Sequence, residues 1–228
     1  MDITEFYNLA GAAAVFVGSH LAISNSRLRP VLIGRLGERG YRAGYALIAA
    51  TLLTWLVQAY RHAPFVELWD TGPGLHALLF TAMLPALILA VGAFRDGSPT
   101  ANSAIRPPPV QARAGVLAIT RHPLMWSIGL WATLHVIACG DVAAEIFFGA
   151  LAVLALAGTL AIDSRIRRGK PELWAELSAS TSNLPLAALV GGRIRLDLDQ
   201  LLFPAAAGLV VWMMMLAVHE WLFGVSAF

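Results

Sequence analysis

Six histidines, in a chain that is 58% hydrophobic and only 13% charged, are the residues able to do chemistry. Neutral imidazole ligates transition metals and also carries protons near neutral pH. His62 reads as a solvated loop residue. His20, His76, His122, His135 and His219 fall within or at the ends of apolar segments, where an ionisable side chain is a functional candidate by default. By depth along those segments His20 pairs with His122, and His135 with His76 or His219. His122 and His135 lie roughly 20 Å apart along one helix and on different faces, so they cannot share one ion. No His-x-Glu, His-Glu-x-x-His or paired-cysteine zinc pattern is present. A bis-histidine haem, ligated from facing helices, suits this inventory better. The plainer alternative is that each imidazole hydrogen-bonds a carbonyl across a helix interface. A lone Cys139 excludes an internal disulfide framework and reads as structural. No nucleophile–base pair, phosphate loop or nucleic-acid module is recognisable.

The elements that must hold these histidines are membrane helices. About 20 mostly apolar residues cross the hydrocarbon core. Segments near 4–24, 42–60, 74–94, 123–139, 142–162 and 200–224 meet or approach that length, the fourth being the short one. The expected fold is therefore all-α: a single-domain, polytopic membrane bundle of about six transmembrane helices over 1–228. All of the 16 basic residues except Arg61 fall in alternate connections, or at their edges. That asymmetry marks the cytoplasmic face and places both termini on the non-cytoplasmic side. The expected setting is a membrane with lipid headgroups as partners of the arginine clusters and no nucleic acid. The first segment lacks a basic n-region and does not read as a cleaved signal peptide. The Pro- and Gly-containing loop 95–122 cannot be one regular helix. Pro171, Glu172, Trp174 and Leu177 predict a short amphipathic cytoplasmic helix near 171–178, with Trp174 at headgroup depth. Trp126 and Trp131, on the short segment, are placed for packing or cofactor stacking. Gly11, Gly18, Gly44, Gly140, Gly149 and Gly158 read as close-packing positions between helices.

Several motifs carry a resemblance. Ser-His-Leu-Ala-Ile-Ser (19–24), Leu-Gly-Glu-Arg-Gly-Tyr-Arg (36–42), Ala-Tyr-Arg-His-Ala-Pro (59–64) and Ile-Thr-Arg-His-Pro-Leu-Met-Trp (119–126) occur in order. With Leu-Trp-Ala-Thr-Leu-His (130–135) and Thr181, Ser182, Pro185, Gly192 and Arg193, they make the chain resemble the NnrU family over nearly its whole length. That family is bacterial, integral to the membrane and associated with denitrification and nitric oxide metabolism, which implies a bacterial inner (cytoplasmic) membrane as the location. The chain is also similar to the plant 15-cis-zeta-carotene isomerases, membrane enzymes with haem b. The resemblance implies haem b as cofactor, with His20 and His135 at the positions of the isomerases' ligands, and a lipophilic polyene as substrate. A cysteine proposed there as an alternative ligand corresponds to Ala132. The depths of His20 and His135 conflict, which leaves His122 as an alternative partner for His20, and His76 behind it. Arg121, Arg165 and Arg168 are placed to meet propionates. The Arg-His-Pro motif also resembles isoprenylcysteine methyltransferases, which bind S-adenosylmethionine at the cytoplasmic helix ends. Their glutamate pair is missing at Asp163–Arg168, and Met125 replaces their tyrosine. That resemblance implies a related architecture without that chemistry. A methyltransferase-like enzyme and a non-enzymatic assembly factor are the alternatives to the haem protein.

Overall fold

A backbone in hydrocarbon must satisfy its own hydrogen bonds, so apolar segments of this length have the helix as their solution. The computed structural model describes residues 3–25, 28–95 and 114–225. Its helices are α1 (Ile3–Asn25), α2 (Leu28–His62), α3 (Gly72–Arg95), α4 (Val116–Ile119), α5 (Pro123–Cys139), α6 (Val142–Gly169), α7 (Pro171–Ser180), α8 (Ala187–Val190) and α9 (Leu198–Phe223). Among the described residues, pairing of extended backbone is limited to one isolated antiparallel bridge, Glu67 to Asp141. Five helices (α1, α2, α3, α6 and α9) are long and apolar enough to cross a membrane, and α5 is the shorter sixth. The all-helical membrane bundle expected from sequence is thus what the chain forms. The Pro-rich stretch 96–113, with Arg106 and Arg113, lies outside the described residues, as do Asp2 and Arg27.

Two spans are longer than expected. The second starts at Leu28 and not near residue 42, with a break at Gly37 (φ 69°, ψ 165°) that only glycine adopts easily. The fifth continues beyond residue 162 to Gly169. Asp163 to Arg168, read as a connection, are therefore its last helical turns.

Each long helix packs on neighbours in the order α2–α1–α6–α5–α3–α9, and α7 docks on α6. The core of the first half joins Leu9, Ala12 and Phe16 to Leu56, Ala132, Phe147 and Phe148. Outward side chains such as Leu47, Val153, Leu160 and Leu202 are exposed, as lipid-facing residues should be. The glycines chosen from sequence for close packing are mostly the wrong ones. A Cβ at Gly11, Gly18, Gly44 or Gly149 would meet nothing within 4 Å, and at Gly158 only the Met125 sulfur at 3.6 Å. Close approach occurs elsewhere. A Cβ at Gly208 would lie 3.1 Å from the Ile88 backbone nitrogen, where α9 crosses α3. Periodicity cannot reveal which face a glycine presents when the helix is apolar all round.

The short α5 is bounded by local chemistry. Pro123 occupies its first turn, where its missing N–H costs nothing. Gly140 ends it in the left-handed region (φ 63°), and a Cβ there would strike the Trp69 carbonyl oxygen. Asp141 then caps α6 by accepting from the Ala144 N–H at 3.0 Å.

Candidate functional site

The basic residues Arg29 to Arg42 of α2, with those of α3, α6 and the α5 N-terminus, share one end of the bundle, the arginine-rich end. There the Arg-His-Pro turn connects α4 to α5. His122 caps α5 and is fully buried at 0% exposure, and Arg121 beside it is 8% exposed. Both face Asp163 of α6. The His122 Nε2–H donates to Asp163 Oδ1 at 2.8 Å, and Arg121 Nε lies 3.3 Å from Asp163 Oδ2. The second contact is an ion pair too poorly aligned to be a hydrogen bond. The Arg121 guanidinium also stacks 5.0 Å from the Trp174 ring. Trp174 is thus half-buried against this cluster. Leu177 and Ser180 are the face of α7 that is buried.

A polar frame fixes the cluster. The Arg121 N–H donates to the Ser182 carbonyl at 2.8 Å, and the Leu186 N–H to the Ile119 carbonyl at 2.7 Å. Thr120 Oγ1 donates to the Asn183 carbonyl at 2.7 Å. The Asn183 side chain accepts from Trp126 Nε1–H at 3.2 Å and donates to Thr159 Oγ1 at 2.9 Å. Trp126 is therefore a frame residue. Arg193 Nη1 donates to the Ser178 and Thr181 carbonyls at 2.8 and 2.9 Å, tying α7 to the segment after α8. Leu186 holds a left-handed φ of 67° to complete this loop, a strain of order 1–3 kcal/mol that the surrounding bonds must outweigh. Burial pushes the His122 imidazole down from its ordinary value, against the upward pull of Asp163. Burial likewise lowers Arg121, with Asp163 opposing; a guanidinium stays charged all the same.

The remaining histidines lie elsewhere. His20 is half-buried on α1, between Phe16 (ring centroids 4.3 Å) and Tyr45 (5.6 Å). Its Nδ1 meets the Phe16 carbonyl at 2.7 Å. A carbonyl only accepts, so Nδ1 carries a proton. His135 is set the same way by the Trp131 carbonyl at 2.8 Å. Its ring stacks on Phe148 (4.6 Å, 26°) and touches Trp131 (4.7 Å). Phe147, Phe148 and Tyr60 continue this aromatic cluster, with Tyr60 and Phe147 stacked at 4.6 Å. His76 and His219 are close enough to His135 to act on it electrostatically. His62 closes α2, exposed, with Nδ1 on the Gln58 carbonyl.

These positions test the pairings. His20 adjoins Tyr45, and Arg165 of α6 is close enough to Tyr45 to act on it electrostatically. His135 adjoins Phe148 of the same helix, about 25 Å from Arg165 along its axis. His20 and His135 therefore occupy opposite ends of the bundle. His20 and His122 belong to the same end, His122 on Asp163 of α6 and His20 against Tyr45 of α2. At His20 and His135 a bonded Nδ1–H is the tautomer in which an imidazole would ligate haem iron through Nε2. The arginines also divide. Arg121 pairs through Nε with Asp163, Arg168 is exposed and bonded to Ser164, and Arg165 is half-buried within electrostatic reach of Arg29, Tyr41 and Tyr45. Among the described residues, no group of three or more His, Cys, Asp or Glu side chains could hold a metal ion.

Sequence reasoning missed Asp163, the residue that organises the arginine-rich end. The available signal was an acid in the continuation of an apolar span. It also missed Asn183 and Thr159.

The fold and its buried Arg–His–Asp cluster define a multi-pass helical membrane protein with one polar, enclosed end. The family model described as NnrU protein matches residues 8–227, and the chain belongs to that family. It is also 29% identical over 169 residues to the chloroplastic 15-cis-zeta-carotene isomerase of Zea mays, covering 72% of this chain and 46% of that protein. The chain thus spans about half the length of this curated relative. No solved structure matches it.

Proposed function

We propose that this protein is a membrane enzyme of the cis–trans isomerase type, acting on a lipid-dissolved polyene with haem b as cofactor. The relative's activity supports the reaction class. The observation that carries the cofactor is at His20. Its Nδ1 proton is committed to the Phe16 carbonyl, and the half-buried Arg165 acts electrostatically on its neighbour Tyr45. His20 would supply the axial imidazole, and Arg165 a charge-assisted partner for a propionate. Bound there, the haem supplies a Lewis-acidic, redox-active iron. The protein's share is ligation, burial among apolar side chains and exclusion of water. The lipid-facing helices give an apolar substrate direct access. The arginine-rich end would face the cytoplasm of a bacterium, in keeping with the positive-inside rule. Nitric oxide chemistry is the alternative use of the same iron, by family association.

The test is the absorption spectrum of detergent-solubilised protein from haem-replete cells. A Soret band is expected, lost in His20→Ala and retained in His122→Ala, whose imidazole is committed to Asp163. Loss in His135→Ala instead would move the iron to the aromatic end. A colourless preparation ends the haem reading. Turnover of a cis-polyene, followed chromatographically, tests the isomerase reading separately. A Soret shift on adding nitric oxide, without polyene turnover, would favour the alternative.

A further inference from the structure

The buried cluster contains polar atoms that the chain itself does not satisfy. Arg121 Nη1 and His122 Nδ1 are both shut away from solvent without a hydrogen-bond partner, on side chains 8% and 0% exposed. Leaving one such atom unmet costs about 1–3 kcal/mol, and more on a charged group. Two on adjacent residues, inside a frame that satisfies Thr120, Trp126 and Asn183, call for a ligand. The charges indicate its sign. Arg121 is paired with Asp163, and the exposed Arg193, bonded to the Ser178 and Thr181 carbonyls, adds a second positive charge that acts on Arg121. Two guanidinium groups against one carboxylate leave a single positive surplus. A guanidinium edge with an unused N–H matches the oxygens of a carboxylate or phosphate better than any neutral group.

We infer that Arg121 and His122 form a buried receptor for an oxyanion, a carboxylate or phosphate group, covered by Trp174 of α7. One ligand oxygen accepts from Arg121 Nη1. A second accepts from His122 Nδ1–H, the ring taking up one proton from solvent as the anion binds, while its Nε2–H stays on Asp163. The site is independent of haem, because neither imidazole nitrogen of His122 is left for iron when the receptor is filled. A free anion and an anionic lipid headgroup present the same chemistry.

The experiment uses the full chain in maltoside micelles, by calorimetry and tryptophan emission. One arm titrates inorganic phosphate, or acetate, at constant ionic strength. The other titrates phosphatidylglycerol into the micelles. Saturable binding in either arm is expected, and the responding arm names the source. Arg121→Lys, which lacks the planar fork, should weaken it about tenfold or more. Trp174→Phe should abolish the emission change while calorimetric binding persists. No saturable binding of any probe overturns the proposal, as does affinity unchanged in Arg121→Lys. Should Arg121→Lys fail to fold, the emission change decides: its survival in Trp174→Phe overturns the assignment, and its loss supports it.

Discussion

The two ends of this bundle hold an imidazole in opposite ways. At the arginine-rich end His122 is fixed by a carboxylate, inside a frame of hydroxyls, amides and carbonyls. At the other end His135 is fixed by one backbone carbonyl and by aromatic rings. The first is directional and electrostatic, so removing one partner strands the others in a medium that cannot solvate them. The second is held by dispersion, in surroundings where lipid is as apolar as protein. The difference teaches which end can recognise a charged group and which can only accommodate an apolar one.

The sharpest way to break that comparison is Asp163→Ala. It leaves Arg121 buried without its counter-ion and His122 without its acceptor. Breaking a buried pair from one side costs about 3–5 kcal/mol. A large loss of folded protein, read as the drop in thermal midpoint in detergent, is expected. Asp163→Asn should lose less, since an amide oxygen still accepts from His122. If Asp163→Ala is tolerated, the cluster does not hold that end together.

Phe148→Ala probes the aromatic end. The ring is 7% exposed and touches His135, Trp131, Tyr60 and Phe147. In hydrocarbon the transfer term largely vanishes, leaving the cavity. At about 24 cal/mol per Å3, roughly 100 Å3 costs about 2 kcal/mol. The midpoint should fall by less than in Asp163→Ala, and Phe148→Leu should recover most of it. A loss equal to that of Asp163→Ala would mean that packing carries as much as charge does.

How far these ends could be read from sequence follows the same division. Five long helices and a short one were legible because hydropathy reports the solvent, and Pro123 and Gly140 mark the short helix by local rules. His122 was legible as an ionisable residue at a span boundary. Its partner was not, since a 41-residue separation leaves no periodic trace, and Asp163 was read as part of a connection. His20 and His135 were legible as candidates, but their pairing depends on which face of α6 each approaches. An all-round apolar helix does not advertise its faces. For the same reason the close-packing glycines were misplaced, and Gly208 passed unnoticed.

Within the polar frame, Trp126→Phe removes only the indole N–H that reaches Asn183 Oδ1 at 3.2 Å. One neutral hydrogen bond is worth about 1 kcal/mol, and Asn183 keeps its bond to Thr159. A small drop in midpoint is expected, with the anion-dependent emission of Trp174 unchanged.

Arg168→Ala should have the smallest effect of the series. Arg168 stands on the same helix as Asp163 and carries the same charge as Arg121, but its side chain is exposed and its partner is Ser164 one turn away. Water and salt solvate it in the folded and unfolded states alike, so little differential energy is available. The expected midpoint is that of the unsubstituted chain, at low and at high salt. Arg121→Ala measured alongside should fall steeply and stay low in both. If the two arginines behave alike, proximity to the arginine-rich face, and not enclosure, sets their worth. The contrast between a sealed ionic cluster and a merely charged surface would then fail at its simplest point.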